Sequence, residues 1–240
     1  MEKEFAIIMP VYNEGKSIVE TVNQIKEKVK GNYCIYAVYD FDEDTTLPFL
    51  KEFEGETLKP LKNKYGRGVL KAIKTGFEET REPFVIVFMA DLSEDPKFIN
   101  SLVARSKEGY DIVCGSRYMK GGKQTGGPKF KSFLSRMGGI SLRLLTGIPT
   151  HDISNSFKLY SRKVLDSVKV ESTGGFEVGM EIAVKAYLKG FKITEIPTEW
   201  RGRLEGKSNF RFMEWLPKYL KWYFYLIFRK WFGIFKGGQK

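Results

Sequence analysis

The sequence predicts an α/β fold built on a mostly parallel sheet flanked by helices. Three observations predict it. Short apolar runs of strand length (Phe5–Met9, Cys34–Tyr39, Phe84–Phe88, Asp111–Gly115) alternate with segments of helical periodicity. Within the runs, successive residues are apolar, the pattern of strands covered on both faces. Two of the runs end in acidic turns, Asp40–Asp44 and Asp91–Asp95, where open parallel sheets bind ligands, beyond their carboxyl ends.

Taken in order, Phe5–Met9 is the first strand and Pro10–Gly15 its turn. Ile18, Val22, Ile25 and Val29 then mark a helix from Ser17 to Lys30, stopped by Gly31-Asn32. Cys34–Tyr39 is the second strand, followed by Asp40, Asp42, Glu43 and Asp44 and a short helix, Leu47–Phe53, that Thr45 or Thr46 can cap. Thr57–Leu61 reads as a short strand. The turn Asn63–Gly68 precedes a helix over Val69–Glu79. Its Gly66 and Gly68 suit either a tight turn or close backbone approach to a nucleotide, and the Gly-Lys-Ser/Thr end of a phosphate-binding P-loop is missing. Phe84–Phe88 runs into Met89-Ala90-Asp91-Leu92-Ser93-Glu94-Asp95-Pro96, and Pro96 opens a helix to Lys107. A carboxylate here can hold a cation against a diphosphate, while Asp95 as cap and Glu94 near the dipole explain an ordinary helix start.

Asp111–Gly115 is another strand, and Arg117 follows at its end, a guanidinium suited to phosphate or carboxylate. Lys120–Lys131, rich in Gly and Lys, reads as a mobile loop, either a lid or an ordinary insertion. Phe133–Leu145 is an apolar helix interrupted by Arg136 and Arg143. Phe157–Tyr160 is a strand, Glu177–Leu188 a helix and Lys192–Pro197 the last strand. Trp200–Asn209 holds three cations and two glycines, a composition suited to clamping an anion. Residues 1–209 form the main domain. Residues 210–240 form an aromatic and basic amphipathic tail, suited to the headgroup region of a bilayer or to a helix packed on its own domain or on a partner.

Composition narrows the class. The chain has 240 residues, 42% of them hydrophobic, enough for one large domain. Its 40 Lys+Arg against 29 Asp+Glu give a formal charge of +11, which suits polyanions: nucleic acid, anionic membrane or phosphorylated small molecules. Carboxylates at strand ends argue against nucleic acid, since they repel phosphate. Cys34 and Cys114 read as buried free thiols of a reducing compartment. A single histidine, His151, leaves no histidine-based metal site or Ser-His-Asp triad. A strand begins within a few residues of the N-terminus, so no secretory signal is expected. No apolar run approaches the ~20 residues that span a bilayer.

An ordered set of motifs over residues 5–210 resembles family 2 inverting glycosyltransferases, most closely the dolichyl-phosphate mannose synthase branch. Pro10-Val11-Tyr12-Asn13-Glu14 looks like the opening Pro-x-Tyr-Asn-Glu. Val38-Tyr39-Asp40 with Asp44 and Thr46 is similar to Val-Asp-Asp-x-Ser-x-Asp-Gly-Thr. Met89–Ser93 stands where the family has Asp-Ala-Asp-Leu-Ser/Gln, and Gly115–Tyr118 looks like Gly-Ser/Thr-Arg-Tyr. Asp152–Tyr160 resembles Asp-x-Thr-Ser-Gly-Phe-Arg-x-Tyr, and Arg203, Gly206 and Ser208 look like Arg-x-x-Gly-x-Ser.

The resemblance implies a GT-A fold, Rossmann-like, with a nucleotide diphosphate sugar donor, an inverted anomeric centre and Mg²⁺ or Mn²⁺. The branch implies a polyprenyl phosphate acceptor. By position, Pro10, Tyr12, Glu14, Val38 and Asp40 would hold base and ribose, and Ala90 and Asp91 would meet diphosphate and metal. Arg203 would join the donor side. Arg117, Arg136, Lys207 and Ser208 would hold the acceptor phosphate, making Asp91 and Arg117 the catalytic pair. Met89 replaces the first Asp of the metal motif, Tyr39 the first Asp of the second-strand pair, and Asn155-Ser156 the Ser-Gly. The metal therefore rests on Asp91, substrate phosphates and water. The expectation is a peripheral enzyme on the cytoplasmic face of a membrane, moving mannose or glucose. A sugar hydroxyl as acceptor is the alternative, with Asp91, Glu94 or Asp95 as base. The tail can also serve a second copy or a membrane-protein partner.

Overall fold

The computed structural model describes residues 2–55, 57–202 and 212–233. A seven-stranded sheet forms its centre. β1 (Phe5–Pro10) lies between β2 (Tyr33–Tyr39) and β4 (Phe84–Val87), parallel to both, and β3 (Leu58–Lys62) extends the sheet beyond β2. On the other side come β7 (Lys158–Ser161), β5 (Ile112–Ser116) and β8 (Ile193–Pro197). β7 runs antiparallel to both β4 and β5, and β8 runs parallel to β5. The chain winds one way from β1 to β2 and β3 and the other way to β4, which opens a crevice at the β1/β4 switch.

Alternation along β1 explains why its whole run is apolar. Phe5, Ile7 and Met9 enter one core with Ile18, Val22 and Ile25 of α1 (Ser17–Lys28) and Ile99 and Leu102 of α4 (Phe98–Lys107). Ala6 and Ile8 enter the other with Ile73 and Phe77 of α3 (Val69–Glu79), Ile182 and Val184 of α7 (Val178–Leu188) and Leu142 of α5 (Lys129–Thr146). α2 (Leu47–Leu50) continues as a 3₁₀ turn, Lys51–Phe53, and α6 (Arg162–Ser167) directly follows β7.

α3 spans the residues expected. α1 stops at Lys28, because Val29 is already extended while its N–H donates to the Ile25 carbonyl. Two expectations are corrected. The segment 120–131 contains a strand, β6 (Lys123–Thr125), and Lys192–Pro197 is not the last strand. β9 (Glu199–Arg201) follows it and pairs in parallel with β6, so that two three-residue segments make a small sheet whose Gln124 and Trp200 line the crevice. The Arg201 N–H also donates to the Ser93 carbonyl (2.7 Å), bracing the turn after β4.

α8 (Phe212–Trp231) lies against α5 and α7. Its inner face buries Trp222 and Leu226, and the Trp222 indole N–H donates to Ser172 Oγ (3.0 Å). Its outer face exposes Leu220, Phe224, Phe228 and Trp231 beside exposed Phe130, Phe133, Met137 and Leu144 of α5. Among the described residues no helix is long and apolar enough to cross a membrane.

Candidate functional site

One cleft of about 950 Å³ opens at the carboxyl ends of β1, β2, β4 and β5. Pro10, Tyr12, Glu14, Asp40, Asp91 and Arg117 all line it, together with Met89, Arg67 and Glu94. Residues from distant parts of the chain thus share one hollow.

The end of the cleft beside β1 and β2 is built by tethering two loops. Asp44 is buried and accepts from the Asn13 N–H (3.1 and 3.2 Å) and the Thr46 N–H (2.8 Å). Thr46 Oγ accepts from the Glu14 N–H (3.0 Å). These bonds hold Asn13 at φ 52°, a left-handed conformation that Asn tolerates, and set Tyr12 and Glu14 on the cleft wall. Asp40 accepts from Asn63 Nδ2 and from the Gly68 N–H, both at 2.8 Å, and so fastens the glycine turn to β2. The Tyr12 ring meets Phe41 edge-on at 5.7 Å, and the Arg67 guanidinium lies 4.6 Å over the same Phe41 ring. Neither Phe41 nor Arg67 stands out in sequence, since a lone aromatic and a lone cation in loops carry no period.

In the turn after β4, Asp91 Oδ1 accepts from the Ser93 N–H (3.1 Å) and Leu92 sits at φ 51°, a conformation costly for a residue with a branched side chain. Val38 and Ala90 stand behind the wall rather than on it. The Val38 carbonyl accepts from the Val11 N–H and the Ala90 carbonyl from Thr21 Oγ, so both brace the turns behind the wall. Among the described residues no three acidic, His or Cys side chains gather into a metal cage. One carboxylate, at Asp91, fits Mg²⁺ or Mn²⁺ as a site shared with diphosphate oxygens and water.

Arg117 reaches the cleft already paired. Its Nε and Nη2 donate to the two oxygens of Asp152 (2.6 and 2.8 Å), its backbone N–H to Oδ2 (3.0 Å), and Nη2 also to Ser135 of α5 (3.2 Å). Burial alone would raise the Asp152 pKa; the Arg117 charge and hydrogen bonds outweigh it and hold the carboxyl below its usual range. Burial disfavours the Arg117 charge, and Asp152 more than compensates, so the guanidinium is held charged. Lys158, fully buried with its pKa lowered by burial, donates to the Ile153 (3.1 Å) and Asn155 carbonyls and pins the turn that carries Asp152. His151 is a hydrogen-bonded loop residue, its Nδ1 2.5 Å from Glu195.

Arg136 does not join them. Ser132, Ser135 and Gly139 face the cleft at helical spacing, and one further residue turns Arg136 about 100° away, to an exposed position. Arg203, Lys207 and Ser208 lie outside the described residues.

Beyond Arg117 the cleft turns apolar. Leu134 and Gly138 of α5, Met180 of α7, and Trp215, Leu216 and Tyr219 of α8 wall it. Gly139 lets α5 touch the His151 carbonyl, where a Cβ would collide, and Gly175 does the same for the Trp215 ring. Sequence periodicity places an apolar stripe on α5 and another on α8, but not the slot between them.

A family model described as glycosyl transferase family 2 matches residues 6–169. The chain belongs to that family. It is 30% identical over 229 residues to the dolichol-phosphate mannosyltransferase of Pyrococcus furiosus, covering 90% of this chain and 64% of that protein. It is 28% identical over 216 residues to an uncharacterized glycosyltransferase of Bacillus subtilis, covering 86% and 63%. The chain thus spans slightly less than two thirds of either relative. The glucosyl-3-phosphoglycerate synthase of Mycobacterium tuberculosis, solved with Mn²⁺, uridine diphosphate and glucosyl-3-phosphoglycerate, superposes with a TM-score of 0.69 at 16% identity, over 98% of this chain and 82% of that one. The fold of this family 2 member is therefore GT-A, as the motifs implied.

Proposed function

We propose that this chain is an inverting glycosyltransferase that moves mannose or glucose from a nucleotide diphosphate sugar to a polyprenyl phosphate. The observation that carries this reading is the continuity of the cleft: acidic strand ends, then Arg117, then an aromatic slot between α5 and α8. A donor with a charged diphosphate fits the first part and a phosphate on an isoprenoid chain fits the rest. The relative from Pyrococcus, a dolichol-phosphate mannosyltransferase by name, supports the same reading.

In this scheme Tyr12, Glu14, Asp40 and the Phe41–Arg67 stack hold base and ribose, and Asp91 lies at the diphosphate. A divalent cation held there would neutralise charge that develops on the leaving diphosphate. The acceptor phosphate sits at Arg117, whose Nη1 makes no hydrogen bond among the described residues and so retains donors for it. An acceptor phosphate oxygen attacks the anomeric carbon, the bond from that carbon to the diphosphate breaks, and configuration inverts. A phosphate monoester with a second pKa of about 6 is already ionised at neutral pH, so positioning and charge compensation replace a base.

The exposed aromatic and aliphatic faces of α5 and α8 adjoin, tied by Ser141 Oγ to Tyr223 (2.9 Å) and by the Trp231 indole N–H to the Leu145 carbonyl (2.8 Å). With Lys129, Arg136, Lys221 and Lys230 also exposed, this surface suits an anionic bilayer from which a polyprenyl chain would enter the slot. The buried thiols of Cys34 and Cys114 fit the cytoplasmic face.

A sugar hydroxyl is the second acceptor class. It requires a base, and Glu94, buried on the cleft wall and pushed up to about 7 chiefly by burial, is the carboxyl placed for it. The deciding experiment incubates the full chain with radiolabelled GDP-mannose or UDP-glucose, Mg²⁺ or Mn²⁺, and dolichyl or undecaprenyl phosphate. Label is expected in the organic extract; none with any common donor contradicts the acceptor assignment.

A further inference from the structure

Glu94 has a position that the transfer scheme leaves unused. Only 3% of its surface is exposed, yet it lines the cleft. Its Oε1 accepts from Asn155 Nδ2 at 2.8 Å. Oε2 has no hydrogen-bond partner among the described residues. Asn155 is held in place: its second Nδ2 hydrogen goes to the Gly115 carbonyl (3.1 Å) and Oδ1 accepts from the Phe157 N–H (3.1 Å). The carboxyl is therefore aimed by a fixed amide and keeps one oxygen for a ligand.

The two residues join opposite sides of the site. Glu94 belongs to the same turn as Asp91, and Asn155 to the same turn as Asp152, the partner of Arg117. β9 forms a bridge to Glu94 through Trp200, which lines the same cleft. Arg117 and Asp91 both lie near enough to act on its charge. An in-line displacement places the sugar ring between the leaving diphosphate and the incoming phosphate. If the diphosphate lies at Asp91 and the acceptor phosphate at Arg117, the wall between them is the wall the sugar touches.

We propose that Glu94 reads the hydroxyl groups of the transferred sugar, with Asn155 as its positioning residue. This rests on the transferase reading above. A carboxyl oxygen fixed in a buried wall accepts from a hydroxyl of the correct epimer and is left unpaired by the wrong one. Loss of such a charged hydrogen bond weakens binding by roughly 10- to 100-fold.

The test is calorimetry on the full chain with Mg²⁺ present, titrating GDP and GDP-mannose, UDP, UDP-glucose and UDP-galactose. Glu94→Gln keeps an acceptor for Asn155 and so preserves the turn; a circular-dichroism melt verifies folding. The expected result is that the variant binds the preferred nucleotide sugar at least tenfold more weakly, binds the matching diphosphate within twofold of the unaltered protein, and loses preference between epimers. Asn155→Ala should give the same pattern in weaker form. Equal losses for sugar and diphosphate, or no loss for either, would overturn the assignment. So would unchanged donor binding with transfer abolished, the signature of a general base. If the unaltered protein binds none of these donors, the transferase reading falls first, and this assignment with it.

Discussion

Replacing Asp152 by Asn probes the interaction that shapes the centre of the site. Asp152 is fully buried and receives Nε, Nη2 and the backbone N–H of Arg117, while the Arg117 side chain is 12% exposed. Asn keeps the shape and removes the charge. Deleting one partner of a buried ion pair costs roughly 3–5 kcal/mol because the other charge stays desolvated. Arg117 keeps a small opening to the cleft, so the lower end applies, about 3 kcal/mol. For a domain of this size, 1 kcal/mol moves Tm by roughly 2–4 °C, giving a fall of about 6–12 °C. The assay is urea unfolding of both proteins between pH 2 and 8. Because the folded pKa of Asp152 is depressed, its contribution is complete above the unfolded value near ~4 and is lost as pH falls through the folded one. The gap between the proteins should therefore be flat from pH 6 to 8 and close at acid pH. A loss below about 1 kcal/mol at pH 7, or a gap that does not narrow in acid, would refute the assignment of Arg117 as a guanidinium fixed by charge.

Glu94→Gln should act on stability with the opposite pH sense. Its folded pKa is raised to about 7, so the native state binds more protons than the unfolded chain between about 4.5 and 7 and the unaltered protein loses stability as pH rises through that window. Urea midpoints should show the variant gaining on the unaltered protein by up to roughly 3 kcal/mol at pH 8 relative to pH 5. Trp222→Ala should cost about 3–5 kcal/mol in the same assay, as a fully buried ring and its bond to Ser172 are lost. Phe224→Asp with Phe228→Asp, both on the exposed face of α8, should leave the urea midpoint within about 0.5 kcal/mol and abolish co-sedimentation with vesicles containing anionic lipid. Retained sedimentation would place membrane contact elsewhere.

The sheet and the acidic end of the cleft were legible because local pattern suffices there. β1 is apolar throughout since both its faces are covered, and α3 carries its core stripe between a glycine turn and Thr80. The acidic ends of β2 and β4 point to a ligand crevice whatever the strand order. Strand direction was not legible: Phe157–Tyr160 reads as a strand, but nothing in four residues says that β7 enters antiparallel between β4 and β5. β6 and β9 were missed for a related reason, since three residues are too few to show a period and become strands by pairing with each other. The Arg117–Asp152 pair joins residues 35 apart, and no spacing rule connects them. The apolar run of α5 and the aromatic tail of α8 were visible, but the slot between them depends on tertiary contacts, such as Gly139 against the His151 carbonyl and Gly175 against the Trp215 ring, that no local pattern shows.

The central claim is that one cleft holds the donor at its acidic end and a polyprenyl phosphate with its first isoprene units between α5 and α8. The most direct measurement is photolabelling of the full chain, bound to vesicles, by a polyprenyl phosphate carrying a diazirine on its second isoprene unit, followed by peptide mapping. Labelling is predicted at 176–180 and 215–223, and excess short-chain polyprenyl phosphate should compete for it. Labelling confined to the outer residues Phe133, Phe228 and Trp231, unaffected by competitor, would contradict the account, because the lipid would then meet the protein only as a surface.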